Sequence, residues 1–172
     1  MKEPTIEEIN RLKNPVRKRN RLECFDYSSV GYYFITICTK NKENLFGRII
    51  GGDDINPPWM KYSNIGRIVE KQIQTIDRTQ YVRVDRYVVM PNHIHMILIV
   101  AQNNYSDKVQ ANAIIPHTIG GFKRLCAKEI GTDLFQRSYH DHIIRDQRHY
   151  ETIWNYIADN PRRWKEDCFY LE

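Results

Sequence analysis

Disulfide and zinc signatures are missing from this chain of 172 residues: its 4 cysteines, Cys24, Cys38, Cys126 and Cys168, are widely scattered and form no Cys-x-x-Cys pair. That argues against both a disulfide framework and a cysteine-ligated zinc, and a reducing cytoplasm is the setting the thiols suggest. No apolar run approaches the roughly 20 residues that cross a bilayer. The opening Met1-Lys2-Glu3-Pro4-Thr5-Ile6-Glu7-Glu8 has no apolar stretch behind a basic head, so neither a membrane span nor a signal peptide is expected. Internal repeats and low-complexity segments are also lacking.

What is present describes a globular protein: 41% hydrophobic and 27% charged residues, with a mean hydropathy of −0.62. The length suits one domain of about 100–200 residues, and the expected organisation is a basic arm over residues 1–22 ahead of a single domain over 23–172. A formal charge of +5 and a pI near 9.0 permit a polyanionic partner without requiring one. The excess is concentrated in Arg17-Lys18-Arg19-Asn20-Arg21 and in Pro161-Arg162-Arg163-Trp164-Lys165. The indole of the second cluster can stack on a base, although each cluster taken alone reads equally as a solvated charge run.

Residues 31–39 are aromatic and β-branched and form the first strong strand, behind an arm with a short helix near residues 5–13. Residues 47–58 are punctuated by Gly and Pro and read as a loop or small hairpin. Ser63 or Asn64 caps a helix in which Ile65, Ile68, Val69, Gln72, Ile73 and Ile76 form one stripe. Strands follow over 87–90 and 93–100, then a polar stretch over 102–112 that is a loop or a partner-binding insertion. Thr118 opens a second amphipathic helix, with Ile119, Phe122, Cys126 and Ile130 inward, Lys123, Arg124 and Lys128 outward, and Gly131 at its end. Residues 134–145 read as a further strand, and 147–160 as a last helix stopped by Pro161. The order strand, helix, strand, strand, helix, strand predicts an α+β fold of the ferredoxin-like split βαβ type. Its sheet is antiparallel, with two helices on one face and a C-terminal helix added.

His93-Ile94-His95 interrupts the apolar run of residues 87–100 with two imidazoles. In a strand, residues two apart share a face, so both ring nitrogens can converge on one ion. Such a pair can also be satisfied polar residues at a sheet rim. Here, however, Pro91-Asn92 sets both at the start of a buried strand, where an unpartnered imidazole is costly, and the spacing favours a metal site. His140-Asp141-His142 is a second His-x-His, but its flanks are charged and it fits a buried strand less well. In the last helix Tyr156 and Asn160 stand four apart and share a face. Without further context they read as a half-buried aromatic and the polar residue before a proline. Tyr139 and Tyr150 are rival phenols, but Ile143 and Trp154 stand where an amide would follow them.

Several motifs recur in order: Arg21-Leu22 with Asp26-Tyr27-Ser28, Gly31-Tyr32-Tyr33-Phe34-Ile35-Thr36, Met90-Pro91-Asn92-His93-Ile94-His95, and Phe122-Lys123. Tyr139-His140-Asp141-His142-Ile143-Ile144-Arg145 and Tyr156-Ile157-Ala158-Asp159-Asn160-Pro161 complete the set. Over residues 17–164 the chain resembles the HUH-type single-tyrosine transposases, particularly the REP-associated tyrosine transposases. The resemblance implies a metal-dependent DNA strand transferase in which Tyr156 is the nucleophile, and His93, His95 and the Asn160 amide hold Mg²⁺ or Mn²⁺. A phenol with a pKa of about 10 is a weak nucleophile at neutral pH. It therefore needs a phosphate polarised by a cation and held in line, which is independent support for a metal beside a tyrosine.

The resemblance also implies single-stranded DNA with hairpin or palindromic elements as partner, and relatives that include monomers and dimers. Phosphate and stacking contacts are expected at Arg17, Lys18, Arg19 and Arg21, at Lys123 and Arg124, and at Arg162, Arg163, Trp164 and Lys165. Two other functions compete: a relaxase-like or replication-initiator nicking enzyme, and a non-catalytic nucleic-acid module on a ferredoxin-like sheet. The first usually carries further domains for which 172 residues leave no space. The second stacks bases on strand aromatics, where this chain has His93 and His95.

Overall fold

A computed structural model describes residues 29–52, 56–77, 81–101 and 114–170. Its elements in chain order are strand β1 (Gly31–Cys38), hairpin strands β2 (Gly47–Ile50) and β3 (Trp59–Tyr62), helix α1 (Asn64–Ile76), strands β4 (Val82–Val89) and β5 (His93–Val100), helix α2 (Ile114–Ile130), strand β6 (His140–Ile144) and helix α3 (Gln147–Asp159). The expected helix near residues 5–13, the basic residues Arg17, Lys18, Arg19 and Arg21, and the polar stretch 102–112 lie outside the described residues.

The main sheet runs β4-β5-β1-β6 with every neighbouring pair antiparallel, and β2 and β3 pair separately. With α1 after β1 and α2 after β5, this is the ferredoxin-like split βαβ arrangement that the order of elements predicts. Central strand β5 is buried on both faces, which is why it reads as a continuous apolar run. Its even positions Ile94, Met96, Leu98 and Val100 join Tyr33, Ile35 and Ile37 of β1 in the larger core, beneath Val69 and Ile73 of α1 and Ile119 and Phe122 of α2. Its odd positions face α3, where Ile97 and Ile144 meet Ile153 and Ile157.

Local chemistry sets the element ends. The Ser63 hydroxyl accepts from the Gly66 amide (3.0 Å), and a side chain on Gly66 would collide with the Phe46 carbonyl, so α1 lies directly against the chain before β2. Gly131 closes α2 at φ 87°, a left-handed conformation that glycine adopts without strain. Asp146 caps α3, its carboxylate accepting from the His149 amide at 2.8 Å.

Four boundaries differ from expectation. The hairpin expected over residues 47–58 runs on to Tyr62, its second strand being Trp59–Tyr62 paired with Gly47–Ile50. Strand β4 begins at Val82 rather than Tyr87, because a register shift between Val84 and Arg86 swaps the pleat: Val82 and Val84 before it, and Tyr87 and Val89 after it, all reach the larger core. Helix α2 begins at Ile114 rather than Thr118, with Pro116 in its first turn, where a backbone N–H has no intrahelical partner to lose. Strand β6 is limited to His140–Ile144; Phe135 makes only an isolated bridge to Thr39, while the Leu134 carbonyl accepts from Lys40. Cys38, Cys126 and Cys168 are free thiols, and among the described residues no helix is long and apolar enough to cross a membrane.

Candidate active site

The β4–β5 turn builds the site. Met90 N–H donates to the His93 carbonyl (2.8 Å), closing a tight turn over Pro91 and Asn92, while the Asn92 carbonyl accepts from the Thr39 amide (2.9 Å). Asn92 is fully buried, and its side-chain amide donates to the Lys42 carbonyl (3.0 Å) and the Phe169 carbonyl (2.8 Å). Backbone carbonyls only accept, so these two bonds fix which end of the amide is nitrogen. The Asn92 oxygen then faces His93 Nδ1 at 3.0 Å, and that nitrogen must carry the proton. His93 Nε2 is left with its lone pair, pointing inward.

His95 shares the face of His93. Its Nδ1 lies 2.8 Å from the Thr36 hydroxyl directly across in β1, and its ring stacks on Phe34 at 5.2 Å. Its Nε2 lies 3.2 Å from the Tyr156 hydroxyl, which α3 brings down onto this face. Asn160, the C-cap of α3, is 2% exposed and donates to Asp167 Oδ2 at 3.2 Å. Asp167 also accepts from the Phe169 amide (2.8 Å) and lies 3.5 Å from the Tyr156 hydroxyl.

The electrostatics of this cluster lack a positive charge. His93 Nε2 and Asn160 Oδ1 are buried with no hydrogen-bond partner, and Asp167 Oδ2 lies 3.9 Å from the former. Each unsatisfied buried acceptor costs about 1–3 kcal/mol. His93 cannot supply the charge itself, because burial pushes its imidazole down to about 3, and burial together with His93 holds His95 well below the ordinary histidine range. Ligand atoms of His93, His95 and Asp167 all lie within 4.8 Å of one another. Two neutral imidazoles, a carboxylate and an amide oxygen form a donor set that suits a divalent first-row cation, and a cation would satisfy the orphaned acceptors. Burial, and then the Asp167 charge, push the Tyr156 phenol up to about 12, so it is protonated at neutral pH.

Residues far apart in sequence, His93, His95, Tyr156 and Asn160, are thus brought together in one chain. The spacing logic missed two others. Asp167 follows a short 3-10 turn (Trp164–Glu166) that folds the chain back past α3, and no interval relates it to the histidines. Asn92 carried a visible signal, an amide beside a histidine, but reads from sequence only as turn punctuation.

The expected DNA-contacting residues divide. Trp164 is 8% exposed, its ring packed on His93 (5.9 Å) and Tyr170 (5.3 Å), so it supports the site rather than offering a face for stacking. Lys123 turns inward rather than outward: its ammonium donates to the carbonyls of Gln136 (2.7 Å) and Ser138 (3.1 Å), and burial pushes it down to about 8. Arg124 is exposed on α2, across the sheet from Tyr156. Arg163 lines the pocket with Tyr156 and pairs with Glu166 at 3.2 Å, whereas Arg162 and Lys165 face a separate cleft with Arg48. His140 and His142 are exposed, and His142 packs edge-on to His149 at 4.8 Å. Tyr139 is buried and Tyr150 donates to Asp85 (2.7 Å), which leaves Tyr156 as the phenol at the histidines.

No protein-family model matches the chain. A Haemophilus influenzae protein described as uncharacterised is 34% identical over 175 residues, spanning 91% of this chain and 94% of its own length. Among solved structures, a REP-associated tyrosine transposase bound to a REP hairpin aligns with a TM-score of 0.60 at 18% identity, covering 84% of this chain and 74% of that one. The likeness establishes the fold.

Proposed function

Because the chain belongs to one family with the Haemophilus influenzae protein and is built on the fold of a tyrosine transposase, we propose that it is a metal-dependent single-strand DNA transposase of the HUH type, one that cleaves and rejoins DNA at hairpin-containing sites. The observation that carries this reading is the Tyr156 hydroxyl, 3.2 Å from His95 Nε2 and beside a cluster in which His93 Nε2 and Asn160 Oδ1 are buried without partners. A structural tyrosine needs no such neighbours.

Tyr156 is the nucleophile. Its oxygen bonds to the scissile phosphorus, the bond from phosphorus to the 3′ oxygen breaks, and a 5′-phosphotyrosine and a free 3′-hydroxyl result, the phenolic proton being balanced by the one the 3′ oxygen gains. The phosphodiester energy is kept in the tyrosyl bond, so a 3′-hydroxyl can reverse the step without another energy source. With the phenol at about 12, only about one molecule in 10⁵ is ionised near pH 7, and positioning must make up the difference. His93, His95, Asn160 and Asp167 would hold Mg²⁺ or Mn²⁺, which supplies Lewis-acid polarisation of a phosphate oxygen when bound. Thr36 and Asn92 orient the imidazoles, and half-buried Phe34 packs edge to face with the exposed Tyr156 ring at 6.1 Å beside them.

The test is incubation with labelled hairpin oligonucleotides from the genomic flanks of the protein's own coding sequence, with and without Mn²⁺, followed by denaturing gels. Tyr156→Phe is expected to bind the hairpin as the unaltered chain does and to form no covalent adduct. An adduct that persists in Tyr156→Phe removes the nucleophile assignment.

A further inference from the structure

The second His-x-His of the chain divides in the fold. His140 and His142 both stand on edge strand β6, where alternation with Ile144 turns them to the face covered by α3. Of the two, only His142 meets another imidazole among the described residues. Its partner is His149, in the first turn of α3, and the rings meet edge-on with centroids 4.8 Å apart and planes at 75°. His93 and His95, the pair at the candidate metal cluster, meet at 4.4 Å and 66°. The chain therefore holds two imidazole pairs of closely similar mutual geometry on the same side of the sheet, one on each side of β1: Thr36 of β1 stands opposite His95, and Phe34 opposite His142.

His142 is exposed and His149 half-buried, and among the described residues neither ring makes a hydrogen bond or an ion pair. A neutral imidazole keeps one nitrogen lone pair, and rotation about its broad χ2 well can turn that lone pair toward a shared point. A cation held by imidazole lies about 2.0–2.1 Å from each nitrogen, which sets two rings sharing one tetrahedral ion about 5 Å apart, centre to centre. The observed separation matches that requirement. Both backbones are also fixed: the Asp146 carboxylate accepts from the His149 amide at 2.8 Å, and His142 is held in register against Phe34. Packing alone does not call for imidazoles here. Ile144 stands next on the same face of β6 and Ile153 one turn on in α3, so an apolar side chain at either position would extend the smaller core cluster.

We propose that His142 and His149 form a second metal site, a two-imidazole clamp for a borderline-soft divalent cation such as Zn²⁺ or Ni²⁺, with water in the remaining positions. The donor set decides the class of ion: imidazoles without a carboxylate favour Ni²⁺, Cu²⁺ and Zn²⁺ over Mn²⁺ and Mg²⁺. Of the exposed charges that flank the pair in sequence, Arg145 and Arg148 oppose a cation and Asp146 favours one, so the imidazole bonds themselves carry the affinity. The ion ties the first turn of α3 to β6. Tyr156 lies seven residues further along α3, two turns and about 10.5 Å along the axis, so the clamp fixes the start of the helix that carries the phenol. The site is separate from the His93 cluster and does not depend on the DNA-processing reading.

The experiment is calorimetric titration of the full chain with Zn²⁺ alone, at neutral pH and without DNA. The parent is expected to take up two equivalents, and His142→Ala with His149→Ala one. In His93→Ala with His95→Ala the remaining equivalent is expected to be the one at His142 and His149. Mn²⁺ is expected to fill a single site in the parent. His149→Ala alone leaves one imidazole and is expected to weaken the second equivalent by at least about tenfold. If the double alanine variant does not fold, His142→Gln with His149→Gln, which keeps polarity and removes the imidazoles, is titrated in its place. Two equivalents retained in a folded double variant overturn the site. So does a second equivalent that is lost in His140→Ala and kept in His149→Ala, which would assign the ion to the strand's own His-x-His. Absence of DNA cleavage with both Zn²⁺ equivalents in place would remove the proposed function and leave this site standing.

Discussion

The two faces of one sheet obey different rules. Toward α1 and α2, strands β1, β4 and β5 present isoleucine, leucine, methionine and valine, closed off from water and continuous with both helices. Toward α3, the same strands present Thr36, His93 and His95, and the apolar contact shrinks to Ile97, Ile144, Ile153 and Ile157 with a few half-buried neighbours. Strand β5 supplies both faces from alternate residues, so rigidity and chemistry are separated by a single peptide unit. A buried polar cluster is costly, and here a core of full depth lies directly beneath it and fixes the strands that carry it.

The strongest test removes the polar face. His93→Ala with His95→Ala is expected to abolish cleavage altogether and to erase the rise in melting temperature expected of the parent on adding Mn²⁺, a stabilisation of about 2.7 kcal/mol at a hundredfold excess over the dissociation constant. An undiminished Mn²⁺ response in the double variant would mean that the cation is held elsewhere. Leu98→Ala, on the opposite face of the same strand, is expected to cost about 2–5 kcal/mol in urea denaturation and to leave the covalent step intact wherever the variant is folded. If it lost activity while folded, the two faces would not be separable.

Asn92→Ala lies between these extremes. Losing the amide that bonds the Lys42 and Phe169 carbonyls and fixes His93 is expected to cost about 1–3 kcal/mol. It is also expected to weaken Mn²⁺ binding about 10- to 100-fold, read by isothermal titration calorimetry. Unchanged metal affinity would reduce Asn92 to a turn residue. Least affected is Arg124→Ala on the exposed side of α2, expected to shift stability by no more than about 0.5 kcal/mol. A tenfold loss of oligonucleotide affinity there would extend the DNA path across the α1/α2 side and break the division between the faces.

Much of this arrangement was legible in the chain. Ser63 and Gly131 marked helix ends because capping and left-handed φ are local demands. The alternation in β5 put His93 and His95 on one face because the strand period is two. The shift near Asp85 was not legible, since Val82, Val84, Tyr87 and Val89 fit one face only after the extra residue is known. The exchange of Lys123 from surface to interior was also hidden: a helical wheel places it beside Arg124, and only the path of residues 136–138 supplies the carbonyls that draw it in. Trp164 looked like a stacking residue because it stands among arginines, but its ring is committed to His93 and Tyr170.

The amino-acid order alone determined the ferredoxin-like succession of elements, the shared face of the two imidazoles and the helical pairing of Tyr156 with Asn160, because each follows from a repeat of two or 3.6 residues. The tertiary structure decided that these two pairs, 61 positions apart from His95 to Tyr156, meet within hydrogen-bond reach. It also decided that Asp167 joins them, and that Asn92 fixes the proton of His93. No local period encodes such meetings; they arise because α3 must bury Ile153 and Ile157 against the strand that carries the histidines, and the chain beyond it has to turn back over the same face.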